Sequence, residues 1–190
     1  MNNKQNDNMT LLDAQADMRR GYFGGGPGVI VSGTVWLIAG IVALVISEQA
    51  SVFALFIGGM AIYPLGTVIA KGLGRTGNHS SGNPLAPLAI ETTVLLFIGI
   101  FIAFVVVQIQ SSWFFPIMML IIGGRYLMFQ SIYGMHLYWV VGALLIAAGA
   151  ALLFFDAPFA TGAFIGGSIE IVFSLVIFMM MRRAESPAVA

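Results

Sequence analysis

Arg125, in the stretch LIIGGRYLMFQSIYG (residues 120–134), is a permanently charged side chain in an apolar run. At ~1.5 Å per helical residue it lies roughly 18 Å from Trp113 at one end of that run and roughly 12 Å from the other. A charge near the centre of a bilayer costs about 2.5–3.5 kcal/mol on insertion scales, so it needs a partner, water or a way to reach the interface. Reaching the nearer interface is awkward, because helical side chains lean toward the helix N-terminus, here the more distant end. Two carboxylates stand near its depth. Glu170, in GGSIEIVF, is about midway through the last apolar run and is the first-choice partner. Glu91, in PLAPLAIETT, lies ~6 Å into its run and is the second. Pro64, in IYPLG, frees the carbonyl of Met60 as a further acceptor. Arg125, Glu170 and Glu91 are therefore the candidate binding residues. Arg125 could clamp a small anion or serve as electrostatic partner to a proton-titrating Glu170. Alternatively, the three charges could only lock helices together, as polar contacts between membrane helices do at modest gain. A water-filled cavity reaching Arg125 would mark binding, and a dry, fully paired Arg125 would mark architecture.

No other group of residues assembles a reactive site. The absence of cysteine excludes disulfides, thiolate nucleophiles and thiolate metal sites. His79 and His136 are far apart without a carboxylate cluster, which does not make a metal site. No Ser, His and Asp can be placed at one depth. Gly72, Gly74 and Gly77 spell GxGxxG, but they follow a membrane helix rather than a strand, so the segment reads as a flexible connector. No catalytic residue, metal or cofactor is expected, and the balance is against an enzyme. The formal net charge of zero gives no reason to expect a nucleic-acid partner.

The elements that position these charges follow from composition. The chain of 190 residues is 59% hydrophobic and 8% charged, against about a quarter charged in soluble domains. Six apolar runs, at 28–46, 52–70, 88–107, 113–133, 136–155 and 159–181, each approach the ~20 residues of a helical span. In lipid the backbone must satisfy its own hydrogen bonds, so these are helices. The expected fold is an all-α membrane protein of six transmembrane helices arranged as three hairpins. FIGG at 56–59, IIGG at 121–124 and FIGG at 164–167 suggest the repeat. Residues 1–20 form an N-terminal segment, 21–183 the transmembrane domain and 184–190 a short tail. The N-terminal segment is polar and lacks the apolar core of a cleavable signal, so the first span is expected to direct insertion. Within it, Thr10 and Asp13 have capping-box spacing ahead of an interfacial helix with Leu11, Ala14 and Met18 on one face. GYFGGGPG then reads as a flexible turn, with Pro27 early in the first span. The aromatic residues of SIYGMHLYW and SSWFF read as an interfacial belt.

The strings YPLGTVIAKGLGR and GNPLAPLAIETT, followed by the arginine and HLYWVVGALL, resemble a bacterial integral membrane family known only as a domain of unknown function. The residues carrying the resemblance are Pro64, Leu65, Gly66, Lys71, Asn83, Pro84 and Leu85. GRYLMFQ after Gly123 departs from its pattern, in which a small residue and a histidine are expected. The resemblance implies six helices in a bacterial inner membrane and no particular activity. A looser similarity of architecture extends to small six-span proteins linked to acid resistance.

Two functions follow as expectations: a small-solute or proton-coupled transporter or channel, or a non-catalytic membrane stress or assembly protein. The first would be a homo-oligomer, since six short helices enclose little volume. The partners expected are the lipid bilayer and a small anion or proton. Lys4, Arg19, Arg20, Lys71, Arg75, Arg182 and Arg183 all fall on one side, which places both termini in the cytoplasm. Reporter tags at residues 2 and 189 are expected inside and one after Gln49 outside; either terminus reporting outside would overturn this topology.

Overall fold

A computed structural model describes residues 9–185. Lys4 and residues 186–190 of the tail lie outside the described residues. The helices are α1 (Leu11–Tyr22), α2 (Gly26–Val45), α3 (Glu48–Gly72), α4 (Ala86–Val107), α5 (Phe114–Tyr133), α6 (Leu137–Phe154) and α7 (Phe159–Glu185). No strand occurs among the described residues. Helices α2 to α7 are long and apolar enough to cross a membrane, so the chain is an all-helical, six-span membrane protein.

Two close crossings organise the spans. Gly33 and Gly40 on α2 lie one heptad apart and face α7. A Cβ on Gly33 would come within 2.9 Å of the Gly167 carbonyl oxygen, and one on Gly167 equally close to that of Gly33. Gly142 and Gly149 on α6 repeat this spacing against α5, where Gly142 faces Gly123 and Gly149 faces the Pro116 carbonyl. Lipid offers little hydrophobic drive for helix association, so small residues that let backbones approach set the contacts. The pairs α2/α7 and α5/α6 are accordingly among the most extensive contacts, with α7 also touching α5 and α6. Helix α3 joins at α2, where Gly66 lies against the Gly28 backbone and buried Ser51 donates to the Ala39 carbonyl at 2.6 Å. Helix α4 joins at α5, where Gly99 receives Ile121.

The glycine strings thus pack helices, but not in one repeated way. Gly58 meets Val35 on the preceding helix, Gly123 meets the following helix, and Gly166 and Gly167 meet α2. Gly59 and Gly124 face open space.

One end of the bundle is closed by α1. The Thr10 hydroxyl accepts from the Asp13 amide and donates to its carboxylate, forming the capping box with Asp in place of Glu. The buried face is Ala14, Gln15, Met18 and Gly21 rather than the expected Leu11, Ala14 and Met18, and Leu11 and Leu12 are exposed. The cause is a polar anchor: Gln15 donates to the Ser131 carbonyl at 2.9 Å and Arg19 to that of Tyr133, rotating α1 toward the end of α5.

Both expected flexible segments are ordered turns. Phe23, Gly24 and Gly25 adopt left-handed φ values of 52°, 64° and 84°, and Tyr138 donates to the Gly24 carbonyl at 2.7 Å. The 73–85 loop is tied to α1 by the Asp17 carboxylate, which accepts from the Ser80 amide, the Ser80 hydroxyl and the Asn83 amide side chain. Burial pushes the Asp17 carboxyl up. The bonds from Asn83 and Ser80, with Arg20 nearby, outweigh that effect and hold it below the usual carboxylate range. Asn83 also donates to the Ala14 carbonyl and accepts from the Leu85 amide, and the Gly77 amide donates to the Gly21 carbonyl. The loop glycines at 74 and 77 are needed for their own positive φ of 77° and 70°. Asn83→Ala removes three hydrogen bonds from a buried side chain and is expected to destabilise the fold by about 2 kcal/mol. Faster amide exchange across residues 77–85 should accompany the loss, and unchanged exchange there would show that Asn83 does not hold the loop.

Candidate functional site

Arg125 and Tyr126 are neighbours on α5 and therefore point about 100° apart around the helix. That divergence decides the buried polar contacts. Tyr126 faces α7, where its hydroxyl donates to Glu170 Oε1 at 2.6 Å. Arg125 faces α4, where Nη2 donates to Thr93 Oγ1 at 3.2 Å. The Thr93 hydroxyl passes its own proton to the Ala89 carbonyl, one turn back, which leaves lone pairs free for the guanidinium. The Phe129 ring, one turn along α5, lies 5.0 Å below the guanidinium carbon and adds a cation–π contact.

The expected pairing of Arg125 with Glu170 is therefore corrected. Among the described residues Arg125 forms no ion pair with Glu170 or with Glu91. Similar depth is not enough to join two charges, because a helix also fixes the direction in which each points. Glu91, one residue before buried Thr92, is exposed on α4. Thr93 is the α4 residue that reaches Arg125.

The two charges sit in different surroundings. Glu170 is 1% exposed, with Ser32 beside it and Gly33 against its Cβ. Its Oε2 is enclosed without a hydrogen-bond partner. Arg125 opens onto a groove between α3 and α4, the two spans joined to the bundle mainly through α2 and α5. The groove contains two cavities that share seven lining residues, among them Ile62, Tyr63, Thr93, Phe97 and Arg125. The cavity toward α1, about 630 Å³, carries the polar groups of Tyr22, Ser32, Tyr63, Thr67 and His79. The other, about 680 Å³, is walled by Trp36, Phe53, Phe56, Met60, Phe101 and Phe104. Arg125 Nε is buried without a hydrogen-bond partner, so the guanidinium keeps donor capacity.

Phe129 was not singled out from the sequence, although its place four positions after Arg125 puts it on the same helix face. Thr93 and Tyr126 were not either, because their roles depend on which helices flank α5. Tyr133 and Tyr138, expected in an interfacial belt, instead stack at 5.4 Å within a core cluster containing Tyr126 and Phe129, and Tyr138 is fully buried. Trp113 and Trp139 are exposed, as the belt requires. His79 meets the Tyr22 hydroxyl at 2.9 Å, tying the loop to α1.

Residues 11–180 match the model of a family described as a family of unknown function (DUF7010). No curated protein and no solved structure matches the chain.

In double-mutant cycles on unfolding free energy, Tyr126→Phe with Glu170→Gln should show a coupling of about 1–3 kcal/mol, as expected for groups sharing a buried hydrogen bond. Arg125→Ala with Glu170→Gln should show less. A larger coupling in the arginine cycle would mean that the two charges meet.

Proposed function

We propose that this chain, which belongs to the DUF7010 family through helices α1 to α7, binds a small anionic solute at Arg125 and acts as a transporter or channel for it. The observation carrying this reading is a guanidinium that, among the described residues, has no carboxylate at ion-pair distance, retains an unsatisfied Nε–H and lines a cavity. A cation in an apolar surrounding attracts an anion far more strongly than it would in water. The Thr93 hydroxyl and Phe129 ring hold the guanidinium without neutralising it, so its charge remains available to a ligand. Tyr22, Ser32, Tyr63, Thr67 and His79 set polar groups along the otherwise apolar wall between Arg125 and α1, and the expected topology makes that end the cytoplasmic side.

The alternative, a structural role for buried charge, fits Glu170 better than Arg125. Glu170 is enclosed, faces α2 and α5 and is held by Tyr126. On this reading Glu170 supports the site from behind, Glu91 stays outside it, and Arg125 makes the contact with solute.

A panel of acetate, octanoate, phosphate and sulfate, added to purified protein, tests the binding step. At one hundred times its Kd a bound anion stabilises the protein by about 2.7 kcal/mol. That rise in Tm should disappear in Arg125→Gln. Equal responses of the wild type and Arg125→Gln to every anion would refute the reading.

A further inference from the structure

We infer that the ligand of Arg125 is an anionic amphiphile drawn from the bilayer, an oxyanion head on an acyl chain, which enters sideways between α3 and α4. The inference rests on the anion-binding reading above and names its substrate class. A site for a small hydrated anion alone would have little use for the second cavity. That cavity begins at Arg125, runs toward the end away from α1 and is walled by aromatic and aliphatic side chains. Its size is comparable to that of the cavity toward α1. Burying a chain along such walls contributes about 0.8 kcal/mol per methylene relative to water, and the chain finds equivalent surroundings in the bilayer. Exchange with lipid is therefore not opposed by desolvation of the chain.

The route is lateral because the two walls of the groove belong to helices that are not substantial packing partners of each other. On α3, Gly59 presents no side chain at the lip, and an added Cβ would meet nothing within 4 Å. The head is fixed by charge complementarity. Arg125 is the charged residue lining either cavity, and a planar guanidinium suits carboxylate and phosphate oxygens alike. Ser32, Tyr63 and Thr67, on the α1 side, are the hydroxyls past which such a head would travel from the interface to Arg125.

Trp36 reports on this arrangement directly, because it lines the apolar cavity while being almost wholly shielded from the surroundings. Its two fellow tryptophans, Trp113 and Trp139, are exposed and can be replaced by phenylalanine. The full chain carrying Trp113→Phe and Trp139→Phe, purified in detergent, is titrated with stearic acid brominated along its chain and with the methyl ester of that acid. The acid should quench Trp36 saturably, at about tenfold lower concentration than the ester, a difference of ~1.4 kcal/mol. Arg125→Gln should reduce the acid to the ester's potency. Gly59→Phe, whose Cβ would meet nothing within 4 Å, should abolish quenching by both, with an unchanged Tm showing that the fold is kept.

Acid and ester quenching equally, or quenching that survives Gly59→Phe, would overturn the inference. Acetate or phosphate stabilising the protein through Arg125 while the brominated acid leaves Trp36 unquenched would overturn it too, and would leave the anion-binding reading standing. Loss of every Arg125-dependent anion effect would remove both.

Discussion

The backbone-to-backbone approach of paired glycines is the constraint on which the arrangement depends. Gly33 against Gly167 and Gly123 against Gly142 bring helices so close that a single methyl group on either partner would reach a carbonyl oxygen. Inside a membrane, where apolar side chains are as comfortable in lipid as against each other, such approach is one of the few ways to fix a helix pair. The two tight pairs α2/α7 and α5/α6 meet through α7, and the arms α3 and α4 are attached to opposite pairs. The groove is a consequence of that attachment. The two arms line the same space and make little direct contact with each other.

The same arrangement separates the two buried charges. With α7 on one side of α5 and α4 on the other, the adjacent residues Tyr126 and Arg125 are divided between a closed interface and an open one. Glu170 receives a hydroxyl, the cheaper partner for an enclosed carboxyl than a second ion that would itself have to be desolvated. Arg125 receives a hydroxyl and an aromatic face, which orient it without cancelling its charge. An ion pair between them would have produced a neutral, locked core, and the cavity would then lack its charged residue.

At the α1 end, a polar network of two amide side chains, a hydroxyl, a guanidinium and one carboxylate does what apolar packing does elsewhere. Asp17, Asn83 and Ser80 hold the long loop to α1, and Gln15 and Arg19 hold α1 to the end of α5. Met18 and Tyr22 of α1 consequently line the cavity on that side. Leu11 and Leu12 remain exposed on the same helix.

The amino-acid sequence by itself determined the six spans to within a few residues, the capped helix before them and the presence of a charge at mid-depth, because each is a local property of hydropathy, capping chemistry and rise per residue. The residues carrying the family resemblance were also visible, and several serve the framework: Gly66 lets α3 approach α2, and Asn83 and Leu85 anchor the loop. Only the tertiary structure decided what Arg125 touches. Depth along a helix can be counted from sequence, but the angle at which a residue leaves the axis acquires meaning only once its neighbours are placed. Glu170 had a suitable level and its carboxyl went to Tyr126; Glu91 had a suitable charge and turned outward; Thr93, unremarked in the sequence, had the right direction. Tyr138 likewise reads as a belt residue from composition and becomes core because α6 is drawn against α5 by glycines whose partners lie on another helix.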